Sequence, residues 1–336
     1  MEQEKNKNID FLAIGDIVID AFIKLQDAQV ENRDGTDMLE MRFGDKIPYD
    51  SVKVVKAVGN GPNAAVSAAR LGLTSATMTH VGNDDFGKEC IESLRNKGVI
   101  TDYVTIEDDK KTNYHYVLSF MADRTILIKH EDFKYDLTAQ ADGLIPKWVY
   151  FSSVGEDSMQ YHADIAHWVA DNNIKMAFQP GTFQISLGSE KLADIYAATE
   201  VFFCNVEEAR KILKEESRDV KKMLLAMHQL GPKIVCITDG PDGAYAYDSY
   251  NDEYWFHRIY PDPQPPVERT GAGDSFSSAF AIALGHGKTV AEALSWAPIN
   301  SMNVVQYIGA QEGLLTQAQL EEFLANAPED YKPEKI

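Results

Sequence analysis

The chain has little cysteine, a deficit of basic residues and no long apolar run. Its three cysteines, Cys90, Cys204 and Cys236, form no C-x-x-C pair and sit in apolar surroundings, so they read as buried thiols in a reducing compartment. Lys and Arg number 32 against 52 Asp and Glu, a net charge of −20, and the pI is near 4.8. Such a balance argues against a nucleic-acid or anionic-membrane partner. It tolerates a phosphorylated ligand only where backbone dipoles or a metal build the site. No apolar run approaches the ~20 residues that span a bilayer, and Met1 to Asn8 is polar, without a signal-peptide core. The expectation is a cytoplasmic protein. His115, His130, His162, His167 and His286 lack H-E-x-x-H or comparable spacing and read as ordinary core or surface residues. Gly15-Asp16-Ile17, after the first strand pattern, is not the G-x-G-x-x-G of a dinucleotide-dependent oxidoreductase.

What is present is a core. The 336 residues are 44% hydrophobic and 10% aromatic, enough for one large α/β domain or two small ones. Asp10 to Ile19 reads as a buried strand interrupted by Asp16 and ending at Asp20. A helix from about Ala64 to Leu71 follows Gly59-Asn60-Gly61-Pro62-Asn63, with Pro62 in its first turn and Gly72 at its stop. Strand and helix patterns then alternate: strands over 75–81, 147–153, 174–178, 201–204 and 234–238, helices over 86–97, 162–171, 192–198, 205–213 and 220–230. Residues 244–247 and 253–257 suggest a late hairpin, and helices over 272–285, 289–307 and 316–327 close the chain. This alternation predicts a mostly parallel sheet covered on both faces, a three-layer α/β/α arrangement.

Two polar segments differ in kind. Short alternating stretches near 38–43 and 52–55, and a hairpin pattern at 114–118 and 125–128 with its turn near Ala122-Asp123-Arg124, suit half-buried strands of a small separate sheet. We expect a tail over 1–8 and one domain over 9–330, with the small sheet inserted from 21–57 and 112–130.

The unusual polar residues fall at the carboxyl ends of the predicted strands, where open parallel sheets bind ligands. Asp20 follows the first strand. A carboxylate there is costly unless paired or bound to something, and a capped turn is the competing reading for Asp16 and Asp20. Asn60 and Asn63 stand at a glycine-rich helix start, Asn205 and Glu208 follow Cys204, and Thr238, Gly240 and Gly243 follow Ile237. Asn63 and Asn205 could equally be helix-start residues, and Gly240 and Gly243 a plain turn. Glu268-Arg269-Thr270-Gly271-Ala272-Gly273-Asp274 runs into an apolar helix pattern. Its glycines let N–H groups converge at a helix N-terminus, a pocket for negative charge with a carboxylate at its lip.

Taken together, these stretches resemble the ribokinase (PfkB-type) family of carbohydrate and nucleoside kinases. Gly271-Ala272-Gly273-Asp274 resembles its anion hole and catalytic aspartate. Gly59 to Ala65 with Val81 to Gly87 resembles its first signature, Asn205 to Glu208 its N-x-x-E motif, Thr238 to Gly243 its T-x-G-x-x-G nucleotide loop, and Gly309-Ala310 its C-terminal turn. The motifs keep family order over about residues 10–325. The resemblance implies a ribokinase-like fold whose small sheet is a lid and often a homodimer interface. It implies ATP near Thr238, Gly240, Gly243 and Asn303, with the γ-phosphate over Gly271, Ala272 and Gly273. Magnesium (Mg2+) would be held by Asn205 and Glu208 through water, Asp274 would be the general base, and the acceptor would bind Gly59, Asp20, Asn60 and Asn63. Glu268 and Arg269 depart from the usual aspartate and small residue that flank a monovalent-cation site, so potassium dependence stays open. No lysine follows Gly59, unlike the G-G-K-G frequent in the family.

Three functions remain open on these residues. One is a sugar kinase acting on a primary hydroxyl. Another is a nucleoside kinase, whose base would need an aromatic contact from Phe22, Phe43, Tyr114 or Tyr116. The third is a catalytically weak nucleotide-binding protein, against which the intact Asp274 and anion loop argue. Arg124, at the predicted hairpin tip, reads as an exposed turn residue in preference to a ligand contact.

Overall fold

The computed structural model describes residues 8–121 and 123–336. The expected tail therefore lies outside the described residues except for the exposed Asn8, as does Ala122 of the predicted turn. Ten strands form the main sheet in the order Glu334–Lys335, Glu253–His257, Ala244–Asp248, Ile234–Thr238, Val201–Asn205, Lys175–Phe178, Trp148–Phe151, Phe11–Ile14, Ser75–Gly82 and Ile100–Glu107. Pairing is parallel from Ile234–Thr238 to Ile100–Glu107 and antiparallel beyond. The chain closes on this sheet as well: Glu334–Lys335 pairs beyond the expected boundary at 330.

Side chains alternate across a strand, so a strand buried on both faces feeds two cores. Phe11 and Ala13 join one cluster with the helices Asn60–Arg70, Ala272–Gly285 and Val290–Val304. Leu12 and Ile14 join the other with Met159–Asp171, Val206–Leu213 and Val220–Gln229. Among the described residues no helix is long and apolar enough to cross a membrane.

The predicted strand Asp10–Ile19 is two strands. Phe11–Ile14 stays in the main sheet, whereas Val18–Leu25 leaves for the lid. Gly15 makes the break: a Cβ there would lie 2.2 Å from Ser152 Oγ and 3.3 Å from Gly61 Cα. The lid sheet has the order Tyr49–Val58, Val18–Leu25, Asn113–Phe120, Asp123–Leu127. It thus begins at Val18, before the expected 21. Gln29–Arg33 and Thr36–Glu40 form their own two-stranded hairpin, and Met41, Arg42 and Phe43 lie beyond it in a loop. The edge strand Ile100–Glu107 and the helix Thr182–Leu187 had no clear sequence signal. The first alternates polar and apolar residues at a sheet edge, and the second is only 6 residues long.

Candidate active site

The helix Ala272–Gly285 is built from small residues that let it bury against Asn60–Arg70 and Val290–Val304. Its N-cap Gly271 has φ +82°, and a Cβ there would sit 2.3 Å from Ala310 Cβ, so only glycine allows the loop to pass. The N–H of Ala272 turns back to the Arg269 carbonyl at 3.3 Å. Those of Gly271, Gly273 and Asp274 have no protein acceptor among the described residues. They are free donors at the positive end of a 14-residue helix.

Asp274 stands in the first turn and is half-buried. Its Oδ2 accepts from Asn63 Nδ2 at 2.8 Å and its Oδ1 from Gln179 Nε2 at 3.2 Å. Both amides are fixed from behind. Gln311 Nε2 donates to Asn63 Oδ1 at 2.9 Å and to the Ala57 carbonyl at 2.7 Å. Gln179 Oε1 accepts from the Tyr150 hydroxyl and from Ser277 Oγ, the latter at 3.1 Å. Burial raises the Asp274 pKa above the ordinary carboxylate value. The Asn63 and Gln179 hydrogen bonds oppose that rise, and the charge of Asp20 adds to it.

The other candidates take definite places. Gly59, at φ +117°, caps the helix Asn60–Arg70, which starts four residues before the expected Ala64; a Cβ on it would lie 2.4 Å from the Asp16 carbonyl oxygen. Asn60 opens that helix, and Asn63 is buried with its amide already on Asp274. Asp20 lies 3.5 Å from His115 Nδ1. Asn205 and Glu208 form a reciprocal capping box, 2.9 Å in each direction, so the helix-start reading of Asn205 is what the structure has. Glu208 Oε1 makes no hydrogen bond in that box, and burial followed by the Asp274 charge raises the Glu208 pKa. Among the described residues, no three His, Cys, Asp or Glu side chains come together as a metal cluster.

Thr238, Gly240 and Gly243 line a cavity of about 260 Å³ that runs to Ala272 and Gly273. Asn303, expected there, instead donates to the Gly313 carbonyl at 2.6 Å and is not among the lining residues. Ser301 and Met302 take that place, since a helix turns its successive residues to different faces. Arg269 lines the same cavity and lowers the Asp262 pKa, which burial raises on balance.

Sequence reasoning missed Gln179, Tyr150, Ser277 and Gln311. Only Gln179 left a trace, as the polar residue closing a strand before Pro180-Gly181. His115 and His130 were read as ordinary residues but stand beside Asp20 and Asp16. Arg124 is not a plain exposed turn residue: it reaches Glu268 Oε1 at 3.6 Å, tying the lid to the segment that leads into the anion loop.

Comparison with known proteins gives the family and the fold. The model of the pfkB family carbohydrate kinases matches residues 39–317. Ribokinase of Bacillus subtilis (strain 168) is 28% identical over 270 residues, covering 80% of this chain and 87% of that protein. An ATP-dependent 6-phosphofructokinase of Thermoanaerobacterium thermosaccharolyticum is 23% identical over 318 residues, covering 91% and 90%. Among solved structures, Arabidopsis thaliana ribokinase complexed with ribose and ATP superposes with a TM-score of 0.78 at 19% identity, covering 95% of this chain and 99% of that one. The chain belongs to the pfkB family of carbohydrate kinases, phosphotransferases with an alcohol group as acceptor.

Proposed function

We propose that this protein transfers the γ-phosphoryl group of ATP to a hydroxyl, most simply a primary one, of a small sugar, with Asp274 as the general base. The observation that carries this reading is the setting of Asp274. One carboxylate is clamped between two oriented amides, beside free N–H donors at a helix N-terminus. The carboxylate would take the hydroxyl proton, and the donors of Gly271 and Gly273 would stabilise charge on the transferring oxygens. The nucleotide would lie in the cavity lined by Thr238, Gly240 and Gly243, with Arg269 at its phosphate end.

The residues also fit magnesium. Asn205 and Glu208 offer only oxygen donors, and the capping box leaves Glu208 Oε1 for a metal-bound water. Magnesium would neutralise phosphate charge. Glu208 would orient the ion's water shell.

A sugar is favoured over a nucleoside by the lid. Of the four aromatic candidates, Tyr114 and Tyr116 pack tilted against each other, ring centres 5.2 Å apart, on the face opposite Asp20, and Phe43 is fully exposed. Phe22 alone lies inward, one pair beyond Asp20 and His115. That outer face also exposes Val52, Val54, Tyr116 and Leu127, each between 43% and 52%. It supports a homodimer of lid on lid. Light scattering should give twice the chain mass, and Tyr116→Asp should move it to the monomer; a monomeric parent protein would remove this part of the reading.

The deciding experiment is a panel of sugars and nucleosides with ATP and magnesium, reading ADP release. Turnover confined to nucleosides would sink the sugar reading. No turnover on any member would return the protein to a nucleotide-binding role.

A further inference from the structure

We propose that His115 selects the acceptor: with Asp20 it forms a lid-borne clamp that accepts the protons of two neighbouring hydroxyls on a neutral polyol. The inference rests on the kinase reading above and deepens it.

Asp20 and His115 are register partners on adjacent parallel lid strands, so their side chains share a face. Nδ1 of His115 lies 3.5 Å from Asp20 Oδ1, and the two side chains are only 11% and 14% exposed. With Nδ1–H turned to the carboxylate, Nε2 is the ring atom left to accept a hydrogen bond. That Nε2 is buried and has no hydrogen-bond partner among the described residues. A buried polar atom in this state calls for a missing partner. Phe22 and Val117, the next register pair on the same face, are buried and apolar, so the partner comes from the site side of the lid.

A second unit stands behind the first. His130 packs 5.1 Å from the His115 ring and edge-on to Phe183 at 5.6 Å. Its Nδ1 is 3.5 Å from Asp16 Oδ2 yet makes no hydrogen bond. Asp16 is held by the Tyr135 hydroxyl at 2.9 and 3.0 Å, and that hydroxyl accepts from the Gly155 N–H at 2.8 Å. His130 thus packs against the His115 ring from the side of Asp16. The Asp20 charge raises the Asp274 pKa, which places the clamp within electrostatic reach of the base.

The clamp offers acceptors: a carboxylate and a ring nitrogen. A polyol supplies the donors, whereas a phosphate or carboxylate substituent would face lone pairs and negative charge. Among the described residues no Lys or Arg pairs with Asp16, Asp20 or Asp274. Among the described residues three cations share the inward lid face, and each has its own partner: Lys24 pairs with Asp50 at 2.9 Å, Lys53 donates to the Ile308 carbonyl at 2.9 Å, and Arg124 lies 3.6 Å from Glu268.

The test is steady-state kinetics with D-ribose, D-fructose and fructose 6-phosphate on the parent protein, His115→Leu and His115→Gln. We expect a neutral sugar to be preferred. His115→Leu should raise its KM by about tenfold or more, with the KM for ATP and kcat little changed, and His115→Gln should recover part of the loss. Thermal melting should stay level in His115→Leu, because an orphaned nitrogen is replaced by an apolar group. Should that variant not fold, His115→Gln and His115→Asn carry the same comparison. Preference for fructose 6-phosphate, an unmoved sugar KM, or loss of kcat and stability without a KM change would overturn the clamp while leaving the kinase intact. No turnover on any of the three with any variant would overturn the kinase reading, and the clamp with it.

Discussion

Around Asp274 the polar side chains are all engaged. Asn63 and Gln179 use both ends of their amides, and Gln311, Tyr150 and Ser277 hold them from behind. The seam between lid and body is the opposite. Of the eight buried side-chain atoms without a partner among the described residues, four lie there: His115 Nε2, His130 Nδ1, Arg124 Nε and Glu268 Oε2. A pre-oriented base costs no reorganisation when the reaction occurs, whereas the histidine nitrogens at the seam keep their unmet hydrogen bonds, and Arg124 and Glu268 face each other there as a loose pair. On the proposed reading, the chemistry is built into the body and the choice of acceptor is left to the lid.

The comparison breaks most directly at the base. Asp274→Asn keeps the shape but removes the proton acceptor, and its single amide oxygen can accept from only one of Asn63 and Gln179. Turnover should fall by about 10²- to 10⁴-fold, while ATP binding followed by calorimetry stays near that of the parent. Stability carries its own pH dependence. Burial raises the Asp274 pKa, so the native state binds its proton more tightly than the unfolded chain. Such a group favours folding below its unfolded pKa and loses that contribution as pH rises through its folded pKa. Near pH 7 that contribution is gone, and the pH dependence of melting that it adds should vanish in Asp274→Asn. Near-parental turnover would take the base role away from Asp274.

Next in size is the loop. Gly271→Ala must place a methyl against Ala310 at a positive φ, which shifts the free N–H donors. A loss of about 10²-fold in kcat is expected, comparable to removing one oxyanion donor. A variant with unchanged kcat would mean that the loop only connects.

These parts were legible in the sequence to different degrees for a physical reason. The loop, the helix starts and the alternating strands are local: a glycine with positive φ, a capping residue or a periodic apolar run is written within a few positions. Thr238, Gly240 and Gly243 at the cavity belong to that class. The orientation of the base does not. Asn63, Gln179 and Gln311 arrive from segments separated by more than a hundred residues, and an amide carries no local mark of what it will hold. His115 was invisible for the same reason, because only strand register sets it beside Asp20. Asn303 failed through helical phase, being two positions past Ser301 on a helix where that rotation turns a side chain away from the cavity.

A subtler test separates the groups acting on the base. The acid limb of kcat at saturating acceptor should lie above the ordinary carboxylate range, because Asp274 must be ionised to work. Gln179→Met removes a hydrogen bond that lowers the Asp274 pKa, so the limb should move to higher pH. Asp20→Asn removes a like charge, so it should move to lower pH. Shifts of the same sign in both variants would show that the limb belongs to another group.

The smallest effect tests the seam itself. Arg124 is 31% exposed and Glu268 12%, and at 3.6 Å their pair is loose. An ion pair of this kind is worth at most about 1 kcal/mol, so Arg124→Ala should lower kcat/KM by no more than ~fivefold. The informative quantity is ADP release without acceptor. Glu268 Oε1 also accepts from the Thr270 N–H at 2.8 Å, so the pair links lid position to the loop that carries the free donors. If the lid excludes water through that link, the Ala variant should waste more ATP relative to sugar phosphorylation, and Arg124→Lys should restore part of the coupling. An unchanged ratio in both variants would leave the pair as a surface contact, and the division between a finished body and an unfinished lid would then rest on the histidines alone.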